Sequence, residues 1–150
     1  MSRRMALSVA AGAVVLVGAG AYALAYAGEQ PPALTHATAR YTAPEGGRDG
    51  SLTFTAFVTA SSGVKDVKVL AWPQNSSLGR DEPTAKDMAA AEPAVCKPFK
   101  KHTATCTYTV PTTASDAESA PRGVWHVAVL ATARNGTIAL DARAADFLVK

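Results

Sequence analysis

The side chains of this chain that could perform chemistry are few and scattered. None of the three histidines lies in an HExxH or HxH pattern or beside a cysteine: His36, His102 and His126. The candidate nucleophiles are loop serines outside any GxSxG context: Ser76, Ser77 and Ser115. A zinc site needs several His or Cys ligands, and acyl transfer needs a nucleophile, a base and an orienting group in one cleft. The sequence therefore predicts no enzyme activity, no metal site and no cofactor.

Four acidic residues lie close together in the middle of the chain: Asp81, Glu82, Asp87 and Glu92. Calcium takes about six to eight oxygen ligands, usually from a dense loop of the DxDxDG kind. The wider spacing found here favours helix capping and solubility instead. A carboxylate pair for glycoside hydrolysis remains compatible with the sequence, but a thin sandwich offers such a pair little cleft.

Cys96 and Cys106 are the only two cysteines. Their nine intervening residues fit neither a CxxC redox motif nor a zinc knuckle. An isolated pair in an oxidising compartment usually bonds. We therefore expect a structural disulfide, which in the chain-entropy treatment stabilises the fold by about 2.5–3 kcal/mol.

The N-terminus predicts export. Arg3 and Arg4 precede an uncharged run that closes with Ala25-Tyr26-Ala27, the pattern of a secretory signal peptide. We expect a signal peptide over residues 1–27, a flexible linker over 28–34 and a secreted domain over 35–150. Cleavage after residue 25 is an alternative. A second alternative is an uncleaved membrane anchor, because the apolar run is long enough to span a bilayer.

The charge balance argues against nucleic acid as a partner. Loss of Arg3 and Arg4 lowers the 15 basic residues to 13, against 12 acidic ones. Lys97, Lys100 and Lys101 form the one basic cluster, which we interpret as a solvated hairpin tip. The mature domain is expected to be a monomer that no longer contacts the membrane.

Period-two alternation of threonine and apolar residues predicts strands over residues 52–59 and 103–110. Further strands are expected over 35–42, 67–73, 123–133 and 138–149. The last of these segments is compatible with one strand or with a broken pair of strands. Thr84 and Asp87 resemble a capping box, which predicts a single short helix over 85–92 ended by Pro93. Residues 111–122 are expected to form a loop. The fold class is all-β: an immunoglobulin-like β-sandwich of six or seven strands with one short helix insertion.

Two resemblances follow from particular motifs. The run from Ser51 to Thr59 into residues 62–69, and the later run 123–127 with 131–136, look like strands of bacterial immunoglobulin-like modules. Arg40–Pro44, Asp49–Ala56, Val69–Pro73 and Thr105–Thr109 resemble small exported proteins of Streptomyces and relatives, grouped as domain of unknown function 5707. That family has no assigned activity, so the resemblance transfers no functional residue.

These observations favour a secreted, non-enzymatic immunoglobulin-like domain that binds a protein or a cell-envelope component. The candidate contact residues are those of the loop after the third strand and of the basic cluster: Trp72, Gln74, Arg80 and Lys100. Loops on a rigid sandwich are common recognition sites. Trp72 has two interpretations, an exposed platform or a cover for the end of the sandwich under the helix. The alternative function is a small protease inhibitor that presents a lysine from the Cys96–Cys106 loop.

Overall fold

The computed structural model describes residues 30–75 and 82–150. Within these residues lie eight strands, one short α-helix and one 3-10 turn. The strands are β1 Ala33–Thr42, β2 Gly50–Thr59, β3 Val64–Pro73, β4 Glu92–Pro93, β5 Val95–Lys100, β6 Thr103–Thr112, β7 Gly123–Ala133 and β8 Ile138–Val149. The predicted all-β sandwich is confirmed, with slightly more strands than expected. The predicted signal peptide and residues 28 and 29 of the predicted linker lie outside the described residues, whereas Ala33 and Leu34 of that linker belong to β1.

Two antiparallel four-stranded sheets make up the sandwich. The first sheet has the order β1-β2-β6-β5 and the second has the order β4-β3-β7-β8. If the strands are lettered A, B, C, C′, D, E, F and G along the chain, these orders become A-B-E-D and C′-C-F-G. This is the strand arrangement of immunoglobulin-like sandwiches.

Alternating side chains build the core between the sheets. Along β2 the inward residues Phe54, Ala56 and Val58 are almost fully buried, while Thr55 and Phe57 between them point away. β7 contributes Val127, Val129 and Ala131 from the opposite sheet. Two-residue periodicity places one parity of each strand inside, which is why the alternation was a good predictor of these strands. Because many of the inward residues are alanines, the core is thin.

The helices differ from the prediction. The helix expected over 85–92 is only a 3-10 turn over Asp87–Ala90, and the chain then enters β4. Its start does have the expected hydrogen bonds, since the Asp87 carboxylate accepts from the Thr84 N–H at 2.8 Å. One turn suffices because it buries a single large side chain, that of Met88.

An α-helix, α1, occupies Ala114–Ser119 in the segment that was expected to be a loop. Thr113 and Asp116 form its capping box: the Thr113 hydroxyl accepts from the Asp116 N–H, and the Asp116 carboxylate accepts from the Thr113 N–H. The Thr-x-x-Asp signal was therefore present in the sequence. Among the described residues, no helix is long and apolar enough to cross a membrane.

The disulfide is confirmed and joins neighbouring strands of one sheet. Cys96 of β5 lies directly opposite Cys106 of β6, and the two sulfur atoms are bonded. Because the bond crosses a hairpin, it fixes the register of β5, an edge strand with exposed outward side chains. It does not link the two sheets, in contrast to antibody domains.

Candidate functional site

The outward surface of the first sheet is an array of threonines, which we call the threonine face. It arises because one parity of β2 and β6 is apolar and buried, so the other parity must point to solvent. The pairing places Thr53 opposite Thr109 and Thr55 opposite Thr107. The face consists of the outward residues of four strands: Thr35, Thr38, Arg40, Thr42, Thr53, Thr55, Phe57, Thr59, Val95, Lys97, Phe99, Thr103, Thr105, Thr107 and Thr109.

An aromatic shelf interrupts the threonines at the hairpin end of this face. Phe99 of β5 stacks on Phe57 of β2 with ring centroids 4.9 Å apart and an interplanar angle of 22°. His36 meets the other edge of Phe57 in a T-shaped contact at 5.5 Å. Phe99 is 55% exposed, although a phenylalanine gains most from burial. An exposed aromatic pair of this kind supplies a flat apolar surface at which a ligand ring could stack.

The charge of the threonine face has one sign. The four strands of the first sheet contain no aspartate or glutamate, and all four lie wholly within the described residues. They contain Arg40, Lys97 and Lys100, and Lys101 follows at the hairpin tip. The ammonium group of Lys100 also lies 5.5 Å from the centre of the Phe99 ring. The face therefore combines cations, hydroxyls and an aromatic pair.

The hairpin tip agrees with the interpretation of the lysine cluster. Lys97 and Lys100 belong to β5, and Lys101 and His102 form the turn into β6. His102 has a φ of 65°, in the left-handed region that a non-glycine residue enters mainly in turns. These lysines are exposed, and the disulfide behind them holds the hairpin in one register. Of the three predicted contact residues that the structure describes, Lys100 is the one that lies beside the threonine face.

Trp72 is not an exposed platform. Its side chain is 1% exposed, and it lies on the outward surface of the second sheet beneath the 3-10 turn. Its indole N–H donates to the Ala142 carbonyl at 3.0 Å, and Met88 and Leu130 belong to the same cluster. The interpretation in which Trp72 covers the sandwich under the helix therefore matches the structure. Gln74 follows β3 in an exposed turn, and Arg80 lies outside the described residues.

Polar side chains surround the cluster formed by Trp72, Met88 and Leu130. His126 lies on the outward side of β7 with Ala128 and Leu130, yet it is only 5% exposed. Its ring lies 4.7 Å from that of Trp72, and its Nδ1 is 2.7 Å from Asp146 Oδ1. Arg143 of β8 lies over the Trp72 indole, and its Nε is 2.8 Å from Glu82 Oε2. This ion pair ties the segment that leads into the 3-10 turn to β8.

Two features were missed, and the sequence held a signal for one of them. β7 reads as a nearly continuous apolar run from Val127 to Ala131, and strands that are buried on both faces have this pattern. Phe57 was assigned to the polar side of β2 with the threonines, and its partner Phe99 was not considered. The contact between them depends on the hairpin register, which residue pattern alone does not give.

Most of the described chain matches one protein family. The model of a protein family described as a family of unknown function, DUF5707, matches residues 34–131. The chain belongs to this family. The matched part of the DUF5707 chain contains all four strands of the first sheet except Ala33, and so the whole threonine face. No curated protein and no solved structure matches the DUF5707 chain. Within residues 30–75 and 82–150, no group of three or more His, Cys, Asp or Glu side chains could hold a metal ion.

Proposed function

We propose that this DUF5707 chain is an exported, non-enzymatic binding domain whose threonine face holds an anionic polysaccharide of the cell envelope or its surroundings. The observation that carries the proposal is the charge of the first sheet, whose four strands contain three cations and no acid. Charge complementarity of this kind selects partners and speeds their association. The ligand is placed outside the membrane because the N-terminal pattern predicts export.

Hydroxyls and aromatic rings make a sugar polymer a better fit than other polyanions. Threonine hydroxyls both donate and accept, so a row such as Thr103, Thr105 and Thr107 can match sugar hydroxyls in either role. Alternate residues of a strand are about 7 Å apart, and neighbouring strands are about 4.8 Å apart. The Phe57–Phe99 shelf lies at the end of these rows, where a pyranose ring could stack on Phe99.

The proposal is tested by binding assays on three polymers. Polygalacturonate carries both charge and hydroxyls, dextran carries hydroxyls alone, and polyglutamate carries charge alone. We expect measurable affinity for polygalacturonate, at least about tenfold weaker affinity for the other two, and weakening with salt as counterions screen the lysines. Equal binding of polyglutamate, or no binding of polygalacturonate by folded protein, would contradict the proposal.

Matched variants locate the site. Lys97→Gln with Lys100→Gln removes one cation from the threonine face and one beside it, and Lys65→Gln removes one exposed cation from the second sheet. Phe99→Ala removes the exposed half of the aromatic shelf. We expect the double variant and Phe99→Ala each to weaken polygalacturonate binding at least fivefold, with no change for Lys65→Gln. Equal losses in all three would mean that attraction is not specific to this face.

The alternative function, a small protease inhibitor, is tested by a separate experiment. Lys101 lies in the turn between β5 and β6, whereas Lys97 and Lys100 are paired with β6, so we expect Lys101 to be the residue presented to a trypsin-like pocket. A stoichiometric trypsin titration that shows no inhibition removes this alternative and leaves the polysaccharide proposal untouched.

A further inference from the structure

A cavity of about 440 Å³ opens between the two sheets at one end of the sandwich. Its position follows from where the edge strands stop. β5 pairs with β6 only as far as Val95 opposite Thr107, and β4 pairs with β3 at two residues. The chain changes sheets at Ala94, whose N–H donates to the Val67 carbonyl at 2.8 Å, and this crossover closes the side of the sandwich at that level. Beyond the crossover, residues 108–112 of β6 pair only with β2 and residues 70–73 of β3 pair only with β7, so among the described residues their outer edges carry no strand.

Aromatic and aliphatic side chains line the interior of this cavity. Phe147 lies in the middle, with the Tyr41 ring stacked on it at 5.8 Å and the Trp125 ring stacked on it at 5.8 Å. Leu52 and Val69 add aliphatic wall from the two sheets. Protein interiors are normally packed to the density of organic crystals, so a space this large is not an ordinary packing defect. Its volume lies within the range of about 300–1,000 Å³ that is usual for small-molecule sites.

The charged groups at the rim have one sign. Glu92 and Asp116 are the ionisable residues with carboxyl groups among those lining the cavity, and no lysine or arginine lines it. Both residues are exposed to solvent. The Glu92 carboxylate accepts a hydrogen bond from the Tyr108 hydroxyl, which orients it at the mouth. The Thr113 N–H and hydroxyl hold the pKa of Asp116 below its usual value, so that carboxylate is anionic at neutral pH.

We infer that this cavity binds a small hydrophobic molecule that carries one cationic amine. The apolar chain or ring occupies the space against Phe147, and the ammonium group remains at the mouth between Glu92 and Asp116. Aromatic rings favour the same charge, because a cation over a ring face is attracted by its quadrupole. The rim disfavours a carboxylate or phosphate ligand through like-charge repulsion. This site is separate from the threonine face, which has the opposite charge.

Three probes of equal chain length separate the contributions: decylamine, decanol and decanoate. Titration calorimetry below their aggregation concentrations should give binding in the order amine, alcohol, acid, with at least tenfold between amine and alcohol. Glu92→Gln with Asp116→Asn should reduce the amine to the affinity of the alcohol. Glu45→Gln, in the turn beyond β1, is the matched acidic control and should change nothing.

Two filling variants test the location. Ala71→Phe and Val110→Phe each place a ring in the cavity from a different sheet, so one of them remains usable if the other fails to fold. A folded filling variant should lose decylamine binding. Retained binding in a folded filling variant, equal affinity for all three probes, or no binding of decylamine by the unmodified protein would each overturn the inference. None of these outcomes bears on polygalacturonate binding, so the two proposals fail independently.

Discussion

Asp141 is a carboxyl group in a place where ionisation is costly. It lies in β8 opposite Val129 and is 6% exposed. Its Oδ1 accepts the Arg143 N–H at 3.0 Å, whereas its Oδ2 has no hydrogen-bond partner among the described residues. Burial raises the pKa of Asp141 from 3.8 to about 6, partly offset by the Arg143 N–H and reinforced by the nearby Glu82 and Asp146 carboxylates. The folded state therefore holds a proton on Asp141 more tightly than the unfolded state does.

The sign of the stability effect follows from this difference. Below about pH 4 Asp141 is protonated in both states, so its charge costs nothing. As the pH rises from about 4 to about 6, the unfolded state ionises Asp141 while the folded state keeps its proton, so the free energy of unfolding falls; above about pH 6 the cost stays constant. One pKa unit corresponds to about 1.4 kcal/mol, which sets an upper limit of about 3 kcal/mol for the cost at neutral pH. Partial solvent access to the carboxyl group reduces the expected cost to about 1–2 kcal/mol.

Asp141→Asn removes this cost while keeping an oxygen to accept the Arg143 N–H. We expect the variant to be about 1–2 kcal/mol more stable relative to the unmodified protein at pH 7.5 than at pH 4. Urea denaturation at intervals from pH 4 to pH 8 measures the difference. Comparing the two pH values cancels any constant effect of the amide group itself.

Asp116→Asn is the matched control, because the pKa of Asp116 is shifted in the opposite direction. A carboxyl with a lowered folded pKa stabilises the fold above its usual titration range and loses that effect only as the pH falls below it. The stability difference for Asp116→Asn should therefore be flat from about pH 5 to pH 8, a range in which the Asp141→Asn difference still changes. A flat difference for Asp141→Asn across the whole range would refute the reasoning, since it would mean that burial does not raise the pKa of this carboxyl.

Three further variants test the disulfide and the cover of the second sheet. Cys96→Ala with Cys106→Ala should lower the free energy of unfolding by about 2.5–3 kcal/mol for a loop of sequence separation 10, as measured by urea denaturation. A loss below about 1 kcal/mol would mean that strand pairing alone fixes the hairpin. Met88→Ala should cost about 2–4 kcal/mol, because Met88 is fully buried, and hydrogen exchange over residues 82–91 should rise. Unchanged exchange there would show that Met88 does not hold the segment. Trp72→Phe should cost about 1–3 kcal/mol by thermal denaturation, because it leaves the partly buried Ala142 carbonyl without its donor.

Strands such as β2 and β6 were predictable because their residues alternate between a core side and a threonine side. Gly123–Ala133 was predicted with both ends correct, and β2 and β6 differ from their predicted bounds by two residues at one end. The disulfide followed from counting cysteines. These inferences use only local pattern, and the Thr-rich parity of β2 and β6 made that pattern strong.

The contacts between elements were not accessible in the same way. The burial of Trp72 depends on Met88 lying over it, and no periodic pattern connects two residues so far apart in the chain. The 3-10 turn was overestimated because the alanines that follow Met88 favour a helix, whereas Glu92 and Pro93 are drawn into pairing with β3. Tertiary pairing overrode local preference at that point.

The same composition explains why the two sheets differ on their outward sides. Ala128 and Leu130 make the outward side of β7 apolar, so the second sheet had to be covered, and the segment containing Met88 covers it. Threonine at the equivalent positions of β2 and β6 is stable against water, so the first sheet needed no cover. A face that is exposed without instability is free to bind, and the absence of acids from its strands restricts what it attracts. Phe99 differs from the threonines because it is a large apolar side chain that stays exposed. Its exposure does not stabilise the fold, so its removal should affect the proposed binding more than folding.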